Sequence, residues 1–257
     1  MKKVICYVIA VLVLAFSSCD DFFSTSLWPS TLKYDAANIN VNAENVDQWL
    51  DSARGNPELT AALLDKITRD LESGKYSGAE KAKLIEAGIK LAVQSSGLGT
   101  SIISNASNVL GNLDNVDEDT LLDLLDGIQS DFSRHGGPTA AANLSTIAAT
   151  GISGNPPQFE PAYKSTAKPG DVAEAIFVLA LGELGPTANI EDWSNPDVLG
   201  LDISEDGHIT VIDPNPSPGK LALAAYLNLI NDGGPSFNDN PLTSVIKDTF
   251  SFIAPTD

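Results

Sequence analysis

The stretch NPELTAALLDKITRDLESGKYSGAEKAKLIEAGIKLAV, running from Asn56 to Val93, decides the fold class. Asn56-Pro57 puts a capping side chain and a residue with its φ already fixed at the head of a run. In that run Leu59, Ala62, Leu63 and Ile67 fall on one helical face, and Gly74 stands past its end. Ser77-Gly78-Ala79-Glu80 has the spacing of a capping box and predicts a second helix through Leu84, Ile85, Gly88, Ile89, Ala92 and Val93. So short a connection makes the pair an antiparallel αα-hairpin. Gly88 in a helix interior costs about 1 kcal/mol relative to Ala, and close approach of a neighbouring helix is a reason to keep it.

The same punctuation continues on both sides. Val46, Trp49, Leu50 and Ala53 predict a preceding helix, capped by Asn42 and stopped by Gly55. Downstream, Ile102, Ile103, Ala106, Val109 and Leu110 fit one helix. Val116 with Asp117 as N-cap heads another, whose apolar side is Leu121, Leu122, Leu124, Leu125 and Ile128. An Ala-rich helix is expected over 139–150. Residues 151–170 carry Pro156, Pro157, Pro161 and Pro169 without any period, and read as a long loop or a lobe boundary. Helices follow over 171–184, 221–230 and 242–253, with a single turn at Asn195-Pro196. Only 201–212 reads as strand. The expected fold is all-α: about nine or ten helices in antiparallel hairpins, as a bundle or an irregular helical-repeat-like array, with one small β-hairpin or loop near 201–213. The paired helices with interior Gly and Ala are similar in architecture to tetratricopeptide proteins, although no repeat of about 34 residues can be laid over them.

Composition bounds the function. The chain has 257 residues, 43% of them hydrophobic and 19% charged, which suits a folded globule with a real core. A net charge of −19 opposes electrostatic binding to nucleic acid or to an anionic bilayer.

The N-terminus carries an address. Met1-Lys2-Lys3 precedes an uncharged, mostly apolar run from Val4 to Phe16 and then Ser17-Ser18-Cys19, the pattern of a secretory signal. The run falls short of the roughly 20 apolar residues of a membrane span. Leu14-Ala15-Phe16-Ser17-Ser18-Cys19 resembles the lipobox of bacterial lipoproteins in a relaxed form, with Phe16 where Leu is usual. The resemblance implies cleavage before Cys19, its acylation and membrane attachment through the lipid, each buried CH₂ contributing about 0.8 kcal/mol. An ordinary cut after Ser17 would instead leave Cys19 free. Asp20-Asp21 resembles lipoprotein sorting signals that differ between bacterial lineages. The expected location is the bacterial cell envelope, with the outer membrane or cell surface favoured. Domain organisation follows: signal peptide 1–18, lipidated Cys19 and tether 19–41, helical domain 42–257. Loss of 1–18 leaves Cys19 as the one cysteine, so neither an intramolecular disulfide nor a Cys-ligated zinc site is expected.

Asp202-Ile203-Ser204-Glu205-Asp206-Gly207-His208-Ile209-Thr210-Val211-Ile212-Asp213 resembles the twelve-residue calcium loop of EF-hand proteins. The resemblance implies calcium as a cofactor. Its ligands would be the side chains of Asp202, Ser204 and Asp206, the His208 carbonyl, Thr210 at the ninth position and Asp213 in place of the usual bidentate Glu. The other reading is a β-hairpin turning at Asp206-Gly207, with Ile203, Ile209 and Val211 as strand residues.

Other motifs have plain readings. Arg134-His135-Gly136 resembles the phosphohistidine motif of histidine phosphatases but follows a helix, so it reads as a solvated loop. Ser96-Gly97-Leu98-Gly99-Thr100 reads as a helix C-cap and a new N-cap, with an anion nest as the alternative. Glu191-Asp192-Trp193 reads as an aromatic anchor, with sugar stacking as the alternative. With no Walker loop, no G-x-S-x-G, no H-E-x-x-H and only two histidines, a noncatalytic domain is expected. It would bind or scaffold a protein partner or, as the alternative, serve a transport system or a small ligand.

Overall fold

Asn56 begins its helix as expected: its side chain accepts the Leu59 N–H at 3.1 Å ahead of Pro57. The structure is a computed structural model and describes residues 38–98, 127–134, 136–185 and 190–232, together with Phe237, Thr243, Ile246, Lys247, Thr249 and Phe250. The signal run, Cys19, most of the tether, the helices expected over 102–126 and most of 242–253 lie outside the described residues.

The helices are α1 (Val46–Ala53), α2 (Pro57–Glu72), α3 (Gly78–Ser95), α4 (Gly137–Ala149), α5 (Pro161–Lys164), α6 (Pro169–Leu184), α7 (Ile190–Trp193), α8 (Pro196–Leu199) and α9 (Pro218–Asp232). Residues 127–134 are also helical. Two antiparallel ribbons complete the described chain: β1 (Ile152–Ser153) with β2 (Gln158–Phe159), and β3 (Leu201–Ile203) with β4 (Ile209–Val211). The fold is thus all-α with small hairpins. Asn42 caps the turn leading into α1 as expected: its Oδ1 accepts the Glu44 and Asn45 N–H groups and its carbonyl accepts the Val46 N–H at 3.0 Å. One start differs from expectation. Helix α3 begins at Gly78, but the Ser77 side chain makes no capping bond, so the capping box is not formed.

Helix α4 is the centre. It packs against α2, α3, α6 and α9, and α6 also packs against α3 and α9. Such contacts between elements distant in sequence make a bundle around one core, whereas a repeat array would join only neighbours. Gly88 explains itself here: a Cβ on it would lie 2.8 Å from Ile147 Cδ1 of α4 and 3.3 Å from Ile67 Cγ2 of α2. A Cβ on Gly182 of α6 would lie 2.5 Å from Ala141 Cβ.

The segment 151–170, expected as a loop or boundary, holds β1, β2 and α5. Its Phe159 and Tyr163 lie in the same core as residues on either side of it. Phe159 stacks 4.5 Å from Tyr163 and 4.6 Å from Tyr226 of α9, and the two hydroxyls meet at 3.3 Å. Burial pushes both phenols well above their ordinary range.

Asn228 ties both ribbons to α9. It is 1% exposed. Its Oδ1 accepts the Ile209 N–H at 2.7 Å, and its Nδ2 donates to the Ile209 carbonyl at 2.8 Å and the Pro157 carbonyl at 3.0 Å. A buried polar group whose partners are removed costs about 1–3 kcal/mol. Asn228→Leu strands the Ile209 N–H and two carbonyls. It is expected to lower unfolding stability by about 3 kcal/mol or more in a urea titration, and to open 201–213 to proteolysis. An unchanged midpoint would refute this role.

Candidate functional site

The loop 202–213 is a hairpin. Leu201 pairs with Val211, Asp202 with Thr210 and Ile203 with Ile209, which fixes the turn at Gly207 (φ +82°). Its oxygens serve this turn. The His208 carbonyl accepts the Ser204 N–H at 2.9 Å, Ser204 Oγ bonds to Asp206 and to the same carbonyl, Asp202 Oδ1 accepts the Ile203 N–H, and Asp213 Oδ1 accepts the Asn215 N–H. Thr210 Oγ1 bonds to the Asp202 carbonyl. The residues read as calcium ligands thus lie on a β-hairpin, in which Ser204, Asp206 and the His208 carbonyl are bonded to one another. Among the described residues no group of three or more His, Cys, Asp or Glu side chains is placed to hold a metal ion.

The turn is latched to the end of α9. His208 lies between Asp206 (Nδ1 to Oδ2, 3.2 Å) and Asp232 (Nε2 to Oδ1, 3.2 Å), and Asn231 Nδ2 donates to the Gly207 carbonyl at 3.1 Å. The Ser204 hydroxyl first, and His208 next, hold the Asp206 carboxyl below its ordinary range.

Several motifs take their plain readings. Trp193 is buried against Phe177 (5.7 Å) and Phe250 (6.0 Å), which removes it from sugar stacking. Ser96 Oγ donates to the Val93 carbonyl and accepts the Leu98 N–H, a helix end. Arg134 is exposed and Gly136 begins the turn into α4, while His135 lies outside the described residues.

A cleft of about 420 Å³ lies elsewhere, between α1, α3 and the α5–α6 turn. Its α3 wall is Ala79, Lys83, Glu86, Ala87 and Lys90, one helical stripe on which small alanines leave room between charged side chains. Asp47 and Leu50 of α1 and Thr166 and Lys168 of the turn close it. The stripe is visible in the sequence, but reading by apolar period selects other faces of α3.

Charges alternate across the cleft. Lys83 Nζ pairs with Asp47 at 2.8 Å, and Glu86 Oε1 receives Lys90 Nζ at 2.8 Å and Lys168 Nζ at 3.7 Å. Lys90 Nζ also lies 3.5 Å from Asp171 Oδ2, an ion pair too long to count as a hydrogen bond for that buried oxygen. Burial works against the Lys90 charge, but Glu86 and Asp171 outweigh it and hold the ammonium above the usual lysine range. Glu174, one turn along α6 from Asp171, is pushed up to about 8 by burial and then by the Asp171 charge, with Lys90 opposing. A concave site lined by converging charged groups has the makings of a binding site.

In comparisons with known proteins, no family model, no curated protein and no solved structure matches this chain.

Glu174 gives stability a pH dependence. A free Glu titrates near 4.5 and folded Glu174 near 8, so across that window the folded state holds the extra proton. Stability therefore falls as pH rises from about 4.5 to about 8, and this contribution is flat above. Glu174→Gln is expected to gain about 4 kcal/mol on the parent between pH 5 and pH 9 in urea unfolding. Parallel pH profiles for the two would contradict this.

Proposed function

We propose that this chain is a membrane-anchored envelope lipoprotein, attached through Cys19, whose helical domain binds rather than catalyses. The observation that carries the binding reading is the cleft between α1, α3 and the α5–α6 turn. Its ammonium and carboxylate groups are held in ion pairs around a small apolar floor, an arrangement suited to recognition. Reaction chemistry asks instead for a nucleophile set against its base.

The anchoring reading rests on the sequence up to Cys19 and on where the globule begins. Ile39 and Val41 are buried. The Asn40 carbonyl accepts Trp49 Nε1 at 3.2 Å, and the Val41 carbonyl accepts the Tyr76 hydroxyl at 3.0 Å. The body is thus gripped from about residue 39. The residues between Cys19 and that point have a contour length of at most about 70 Å, enough to hold the body off a membrane surface. No helix among the described residues is long and apolar enough to cross a membrane, so attachment falls to the N-terminus in this reading.

A second reading, a scaffold that docks a protein partner, is favoured by one observation. Among the described residues the exposed large apolar side chains, Val198, Ile203 and Ile212, all belong to the α8–β3–β4 region.

Attachment is tested with Cys19→Ala in the native host, with metabolic labelling by an alkyne fatty acid. The parent chain is expected in the membrane fraction and labelled. The variant is expected to be unlabelled and soluble. A variant that still pellets with membranes would sink the lipid anchor.

A further inference from the structure

The chain carries 34 acidic residues against 15 basic ones, yet Lys83, Lys90 and Lys168 all line one cleft. They are not equally committed. Lys90 is held by Glu86 and Asp171. Lys168 is 66% exposed, and its carboxylate partner Glu86 is 3.7 Å away. Lys83 pairs with Asp47, whose side chain is 70% exposed, and an ion pair so open to water is weak and readily exchanged. Two ammonium groups, one from α3 and one from the α5–α6 turn, are therefore available at the same cleft. The same cleft is lined by Leu50, Ala79 and Ala87, a surface for a short hydrocarbon body, and by Thr166.

We propose that this cleft binds a small carboxylic acid with a short apolar body, its carboxylates taken by Lys83 and Lys168 and its methylenes laid on Leu50, Ala79 and Ala87. The volume of about 420 Å³ falls within the range of small-molecule sites. Asp47 is the group displaced, swinging into water as the ligand carboxylate replaces it. Glu86 remains on Lys90 and keeps the α3 wall in place. The strongly negative surface does not forbid the ligand. At physiological ionic strength acids more than about 8 Å away are largely screened, whereas contact with two ammonium groups is not.

The proposal rests on the reading of the domain as a binding module and names its ligand class. The test is calorimetric titration of the full-length protein in a neutral detergent at pH 7. Glutarate serves as the probe, glutaramide as its uncharged counterpart and inorganic phosphate as an anion without a hydrocarbon body. Glutarate is expected to saturate with one site per chain, and phosphate and glutaramide at least tenfold more weakly. Lys83→Gln with Lys168→Gln is expected to weaken glutarate at least tenfold at an unchanged unfolding midpoint, since both side chains are solvent-facing. Lys220→Gln, outside the cleft, should bind as the parent does. No glutarate binding, equal binding of phosphate, or full binding by the double variant would each overturn the proposal. None of these outcomes touches the lipid anchor, which Cys19→Ala tests separately.

Discussion

Helix α4 sits where two other helices present a glycine to it, and the rest of the bundle is arranged around that close approach. Gly88 of α3 faces Ile147, and Gly182 of α6 faces Ala141. At the head of α9, a Cβ on Gly219 would meet the Glu183 carboxylate of α6 first and Ser145 Oγ of α4 at 3.1 Å. Each glycine within a helix sacrifices about 1 kcal/mol of helix propensity. What offsets it is contact: helices whose surfaces meet this closely gain dispersion along their whole shared length. Helices α6 and α9 can then be apolar nearly all round, because both are enclosed.

Polar groups complete what the apolar core begins. The ribbons are too short to be stable alone, and Asn228 supplies their outer strand edge with a partner in the core. The cleft arises by the opposite logic, at the rim, where α3 carries alanines and charges in place of bulky apolar side chains. Its lysines are local exceptions on an acidic molecule, and their partners come from α1, α3 and α6.

Much of this was legible in the chain. Asn56 caps its helix, Asn195-Pro196 opens a single turn with the Asn195 side chain accepting the Asp197 N–H, and Gly88 marks a helix contact. These signals are local, each a short-range property of one segment. The hairpin reading of 201–213 was also available, because Asp206-Gly207 between β-branched residues is a turn signal. The EF-hand resemblance depends on side-chain spacing alone, and spacing does not separate it from a hairpin built of the same residues. The structure within 151–170 was hidden by its prolines. Phe159 and Tyr163 find their order only against Tyr226, more than sixty residues on. The cleft was least visible, since its walls come from 47–50, 79–90 and 166–168, and periodicity speaks only within one helix.

A bundle held around one central helix requires the contact at Gly88 to be as close as described. A double-mutant cycle at Gly88 and Ile147 measures it most directly. Gly88→Ala brings a Cβ to 2.8 Å from Ile147 Cδ1, and Ile147→Val deletes that Cδ1. Urea unfolding of the two single variants and the double variant is predicted to show the double variant more stable than the sum of the single effects by about 1 kcal/mol. Additivity within about 0.3 kcal/mol would mean that α3 and α4 do not meet there.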